Sequence, residues 1–243
     1  MTFAKRRKLA AIVGGIAAFS AALALMFSSA NRAAIAAASP AASMFVADKG
    51  SFRIVVNGEQ VGKEQFEITP SGGDWIAHGS SEIQSPDGTM RVSGILALRG
   101  DGNPQRYQWS TEGKKKASAN IDFSGLSATI DLSLEGARPY SQQFTFATAP
   151  IVVLDNNLYH QYAILARLYD RQKKGSQTFS VLVPQELTPG SITVESLGTQ
   201  ELDGKKVEEL TAKTETLEID LYLDNGRLVR LVSPGGNAEI IRD

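Results

Sequence analysis

Residues 150–175, reading PIVVLDNNLYHQYAILARLYDRQKKG, are the one stretch beyond the N-terminal tail whose apolar residues recur at helical spacing. At about 100° per residue, Leu158, Tyr162, Leu165 and Tyr169 share one stripe. Tyr159 and Ala166 widen it on one side and Ile164 and Leu168 on the other, which leaves His160, Arg167 and Arg171 as a narrow polar strip. A helix so broadly apolar must be covered over most of its circumference. Asp155, Asn156 and Asn157 all suit its start, because a short side-chain oxygen accepts from a first-turn amide. Gly175 suits its end, with Arg171, Lys173 and Lys174 beside the negative pole. The pattern predicts a helix over residues 157–173.

On both sides of this helix the chain alternates apolar and polar residues with period two. Phe52, Ile54 and Val56 lead to the turn Asn57-Gly58, and Phe66 and Ile68 follow on the return. Met90, Val92, Gly94, Leu96 and Leu98 make a long alternation, and Ala128, Ile130, Leu132 and Leu134 another. After the helix, Phe179, Val181 and Val183 share a face, and Leu217, Ile219, Leu221 and Leu223 run into the hairpin turn Asp224-Asn225-Gly226. Strands apolar on one face only signal an antiparallel sheet with a solvated back. One helix cannot cover a dozen such strands, so the sheet must curl over itself. The expected fold is mainly β: a curled antiparallel sheet, an open half-barrel, with the helix packed in its concave side. A sandwich is the alternative.

The N-terminus carries an address. Lys5, Arg6, Arg7 and Lys8 precede an uncharged run over residues 9–30, followed by an Ala-rich stretch to Ala47. Basic residues, an apolar run and small residues make a secretory signal. Ala36-Ala37-Ala38 and Ser28-Ser29-Ala30 both fit a small-x-small cleavage site. The run also reaches the ~18–20 residues that can span a bilayer, so an uncleaved membrane anchor competes with cleavage. Either outcome puts the domain outside the cytoplasm, in the periplasm, secreted or tethered to the inner membrane. The division expected is 1–38 signal peptide or anchor, 39–49 Ala-rich linker and 50–243 a single β domain. The chain has no cysteine, so neither disulfides nor thiolate chemistry enter, and the core alone must hold the domain. Six of the 25 basic and one of the 26 acidic residues precede Gly50, which leaves the domain near −6. That balance gives no electrostatic case for nucleic acid.

Two blocks carry a resemblance: Val55-Val56-Asn57-Gly58 to Val61-Gly62-x-Glu64-x-Phe66, and Leu217–Leu223 with Asp224-Asn225-Gly226 and Arg227-Leu228-Val229. Together they resemble the lipoprotein-localisation carrier fold (LolA/LolB-like) and related exported bacterial β domains, over roughly residues 50–243. The resemblance implies an unclosed antiparallel barrel whose apolar concavity holds acyl chains. Such carriers have more helix over the opening than this chain provides.

Signals for chemistry are few. His78 and His160 lack ligand-spaced partners, and His160, on the polar strip, reads as a solvated or capping residue before a metal ligand or general base. Asp155-Asn156-Asn157 offers oxygens to a cation, but capping accounts for it. No Gly-x-Ser-x-Gly, His-Glu-x-x-His or phosphate loop occurs. Glu201, Asp203, Glu208 and Glu209 beside Lys205-Lys206 read as a charged hairpin edge. The residues placed to line a ligand hollow are Trp75, Tyr107, Trp109, Phe123, Tyr162, Leu165 and Tyr169, although inward aromatics are also ordinary core. The expected function is a non-enzymatic, exported cell-envelope binding domain, without cofactor, for an apolar or lipid-like ligand or an envelope protein. The alternative is a structural or interaction domain with a filled core, and a hydrolase is the weakest reading.

Overall fold

A computed structural model describes residues 44–86 and 88–243; the signal or anchor expected over residues 1–38 lies outside them. Fifteen strands form one sheet in the order β8-β7-β6-β5-β4-β3-β2-β1-β15-β14-β13-β12-β11-β10-β9. The first eight are β1 (Asp48–Val56), β2 (Glu59–Ser71), β3 (Asp74–Ser85), β4 (Gly88–Leu98), β5 (Pro104–Glu112), β6 (Ala117–Ser124), β7 (Ser127–Leu134) and β8 (Tyr140–Thr145). Then come β9 (Ile151–Val153), the helix α1 (His160–Leu168), β10 (Gln177–Val183), β11 (Thr188–Leu202), β12 (Lys205–Lys213), β13 (Glu218–Asp224), β14 (Arg227–Ser233) and β15 (Ala238–Arg242). Every pairing is antiparallel except β9 with β10. The half-barrel is therefore two meanders joined where the first strand pairs with the last.

Local turn chemistry sets this rhythm. Asn57-Gly58, Asp203-Gly204 and Asn225-Gly226 take up left-handed backbone at both positions, with φ of 52° and 82°, 51° and 76°, and 48° and 72°. Two such residues make the tight turn whose twist matches that of the flanking strands. The inward faces are then fixed by alternation: Phe52, Ile54, Phe66, Ile68, Leu96, Ile121, Ile130, Leu221 and Leu231 are all buried.

The sheet curls without closing. Its two ends approach each other, β8 beside β11 and β9 beside β5, but no ladder joins them. The helix sits in the hollow and touches β14 from inside, and eight of its nine residues are buried. Among the described residues, no helix is long and apolar enough to cross a membrane.

The junction of the chain ends has its own clamp. Arg242 of β15 grips Asp48 of β1 through both guanidinium nitrogens, at 2.7 and 3.1 Å, and also donates to the Lys49 carbonyl at 2.8 Å. Its guanidinium lies over the rings of Phe66 and Phe52, which stack on each other at 4.9 Å. Phe45, read as linker, is buried against Trp75 at 5.8 Å between centroids, so packing begins several residues before Gly50.

The helix is shorter than its periodicity suggested. Residues 157–159 are held in a turn by Asp155, whose carboxylate accepts from the Asn157 amide at 2.9 Å. At the other end Tyr169 is already extended. The Asp170 carboxylate then accepts from the Gln172 and Lys173 amides, and Lys174 and Gly175 turn left-handed, so these residues form a separate loop. Arg171 is not a free surface charge. It donates to the Ala166 and Tyr169 carbonyls at 3.3 Å and forks onto Glu208 of β12.

Candidate functional site

Two places around α1 concentrate polar groups or open space. The first is a sealed cluster at the helix N-terminus. No side chain of the 155–157 triplet caps α1, and its N-cap is Tyr159. The cap comes from across the fold. Glu64 of β2, fully buried, accepts from the Tyr159 amide at 2.7 Å and the His160 amide at 3.3 Å. The same carboxylate meets His160 Nδ1 at 2.5 Å. A carboxylate at this position answers both the unpaired amides and the positive pole of the helix.

His160 is thus a core residue, contrary to its reading as solvated: it is 1 % exposed and stacks on Phe66 at 5.9 Å. Room for it comes from Gly79 on β3, where any Cβ would collide with the imidazole and approach Glu64. Gly79 pairs with Gly94 of β4, over which Leu158 and the Tyr107 hydroxyl lie in the same way. A glycine inside a strand marks close approach, and this pair of glycines forms the dent that seats the helix.

Asp155 forms the second half of the cluster. It accepts from the Tyr107 hydroxyl at 3.0 Å and from Gln185 Nε2 at 2.8 Å, while its own amide donates to Gln161 Oε1 at 2.6 Å. Burial raises its carboxyl above the ordinary carboxylate range, against the opposing pull of these hydrogen bonds. Burial, reinforced by the Asp155 charge, likewise pushes Tyr107 well above its ordinary value. Burial and then the Glu64 charge push Tyr159 up to about 12. Chemically the cluster holds carboxylates, an imidazole and a phenol. A general acid or base must reach the proton it transfers, yet Glu64, Tyr107, Asp155, His160 and Gln161 are all at most 1 % exposed. The arrangement works as a latch that ties α1 to β2 and β5. Among the described residues, no group of three or more potential ligands is placed to hold a metal.

The second place is open. A cleft of about 810 Å³ runs beside the helix, between Leu154 and Tyr162 on one wall and β10, β11 and the β12–β13 turn on the other. Val181, Val183, Ile192 and Leu217 supply apolar surface, and Asn156, Ser191, Thr193, Thr214 and Lys213 ring it with polar groups. Leu217 is 40 % exposed there. Burial raises the Tyr162 hydroxyl above its ordinary value, so it stays protonated.

The seven residues read as a hollow lining belong to one packed core and do not together line an open hollow. Tyr162 alone borders the cleft. Trp75, Tyr107, Phe123, Leu165 and Tyr169 are buried core, Tyr107 with its hydroxyl on Asp155 and Tyr169 with its hydroxyl on the Gly175 carbonyl at 3.0 Å. Trp109 is half-buried on the concave face of β5, away from the cleft. The cleft's other walls, Leu154 and the β10–β11 valines and isoleucine, carried no distinguishing signal in the sequence. Gly79 and Gly94 did carry one for the latch, each a glycine inside a strand pattern.

Comparison with known proteins adds the fold and nothing of chemistry. No protein-family model and no curated protein matches the sequence. Among solved structures, the chain is similar to a β-barrel-like protein of the domain of unknown function DUF1849 from Brucella abortus, with a TM-score of 0.56 at 9% identity, over 82% of this chain and 95% of that one. A DUF1089 family protein from Pseudomonas aeruginosa follows with a TM-score of 0.45 at 11% identity, over 73% of this chain and 91% of that one. The first likeness shows a β-barrel-like fold.

Proposed function

We propose that this chain is an exported cell-envelope domain that holds an apolar or lipid-like ligand, without transforming it, in the cleft beside α1. The observation that carries this is the cleft itself. Its 810 Å³ fits the size of small-molecule sites, and its apolar wall of Leu154, Tyr162, Val181, Val183, Ile192 and Leu217 faces a polar rim that includes Glu186, Lys213 and Glu215. The resemblance to lipoprotein-localisation carriers points the same way. The interior that such a carrier would use is filled here by α1, Tyr107, Ile121 and Leu165, so the ligand is assigned to the flank of the helix instead. Export rests on Lys5–Lys8 and the uncharged run after them. The absence of catalysis rests on the sealing of the Glu64, Asp155 and His160 cluster.

Native mass spectrometry of protein purified from membranes, before and after lipid extraction, tests the reading. A bound apolar mass that is lost on extraction, and lost again in Leu217→Arg at the exposed edge of the cleft, supports it. Ligand-free protein under both conditions overturns it. A filled core also favours a second reading, an interaction domain of the envelope.

A further inference from the structure

The curl leaves a seam between the two ends of the sheet, and both of its banks are open. On one side β8 pairs only with β7. On the other, β10 covers β11 only as far as Val194, so the β11 stretch 195–202 has β12 on one side and no strand on the other among the described residues. These two free edges belong to strands that the curl already brings side by side.

The two banks differ in how they are guarded. Edge strands that must stay single carry charge, proline or bulges. β8, reading YSQQFT, has none of these along its length. β11 carries Glu195 and Glu201 at either end of its open stretch, both exposed and neither in a salt bridge among the described residues, Glu201 standing opposite Lys206 in the ladder, with a bulge between Ser196 and Gly198. Beside β8 the concave face is only partly covered, and it is apolar apart from Gln142, to which the Tyr140 hydroxyl donates. Trp109 and Leu132 are half-buried, while Leu134 and Tyr140 are 45 % and 46 % exposed. Trp109, Leu132 and Tyr140 follow one another across the ladder from β5 to β8, in line with Ala119.

We propose that the seam is a docking site for an extended peptide strand of a partner protein, with an apolar centre flanked by Lys or Arg. Its backbone would pair with the open edge of β8, in the manner of strand addition. Its apolar side chains would cover Tyr140 and Leu132, and its basic ends would meet Glu195 and Glu201. This site is separate from the cleft beside α1, and either can fail without the other.

The test is selection of a displayed library of random dodecapeptides on the full chain, followed by hydrogen exchange with the enriched peptide. Expected is an alternating apolar core with basic flanks, slowing amide exchange in β8 and in residues 195–202 by about tenfold or more. Glu195→Lys/Glu201→Lys leaves the fold intact and weakens that peptide by about tenfold, while a version with Glu flanks gains. Leu217→Arg, at the exposed edge of the cleft beside α1, leaves peptide binding unchanged. No enrichment, or protection elsewhere on the chain, overturns the proposal. So does peptide-free, concentration-dependent protection of β8, which would identify a second copy of this chain as the occupant.

Discussion

Glu64 is the residue on which the helix position depends. It answers two backbone amides and an imidazole from a site with no solvent contact. Removing it orphans several buried donors at once, and each costs about 1–3 kcal/mol. Glu64→Ala should therefore lower stability by roughly 3 kcal/mol or more in urea melts, whereas Arg91→Ala, on an exposed pair with Glu82, should stay within about 0.5 kcal/mol. Gly79→Ala adds one methyl where the imidazole sits, and overpacking of this kind typically costs about 1–3 kcal/mol. The tyrosines give the pH dependence its sign. Tyr159 is raised from 10.0 to about 12 in the folded protein, so the folded state holds its proton more tightly than the unfolded chain does. Its contribution is complete below the unfolded value and is lost as pH rises through the folded one. Thermal melts from pH 9 to pH 12 should show a midpoint that starts to fall near 10. Tyr107 and Tyr162, also raised by burial, add to the same fall, so Tyr159→Phe isolates its share, and a flat profile would mean that none of the three phenols is held in the core.

At the scale of the element, α1 shows how far periodicity reaches. Leu158, Tyr162, Leu165 and Tyr169 were legible as one buried stripe because they are spaced for it, and all four are buried. Its limits were not legible. Asp155 could cap a helix locally, but its carboxylate is engaged by Tyr107 and Gln185, residues 48 and 30 positions away. His160 looked polar by type, and only the dent at Gly79 reveals that it is inside. The breadth of the apolar stripe already called for cover over most of the circumference, but not for the burial of His160 on the polar strip. Leu165→Ala should cost about 2–5 kcal/mol, since it empties a fully buried site. Arg171→Ala should cost about 1 kcal/mol, more than a bare surface charge, because it frees two helix carbonyls and Glu208 together. Urea melts rank the two variants. Equal small losses would show that the helix is a lid and not part of the core.

For the whole molecule, the alternation of strands and the Asn-Gly turns made a curled antiparallel sheet readable, and the fold matches that expectation. The pairing of the first strand with the last was not readable, because no turn or spacing connects residues that far apart. That pairing is what makes one sheet of two meanders, β1–β8 and β10–β15, with β9 added in parallel at the edge. It is held by backbone bonds and by the buried fork of Arg242 on Asp48, with side chains 14% and 5% exposed. Arg242→Ala leaves the buried Asp48 carboxylate with only the long contact to Arg227 at 3.9 Å, which costs about 3 kcal/mol. Asp48→Leu/Arg242→Met removes both charges and should recover most of that loss, as replacing a whole buried pair does. Cooperativity is the sharper readout. If the clamp joins halves that cannot fold apart, Arg242→Ala shifts one urea transition to lower denaturant without changing its slope. If each meander is stable by itself, the variant unfolds in two steps, and circular dichroism and tryptophan fluorescence cease to coincide, because Trp75 and Trp109 both lie in the first meander. The single core that runs from Phe52 and Phe66 through the helix to Leu221 and Leu231 favours the first outcome.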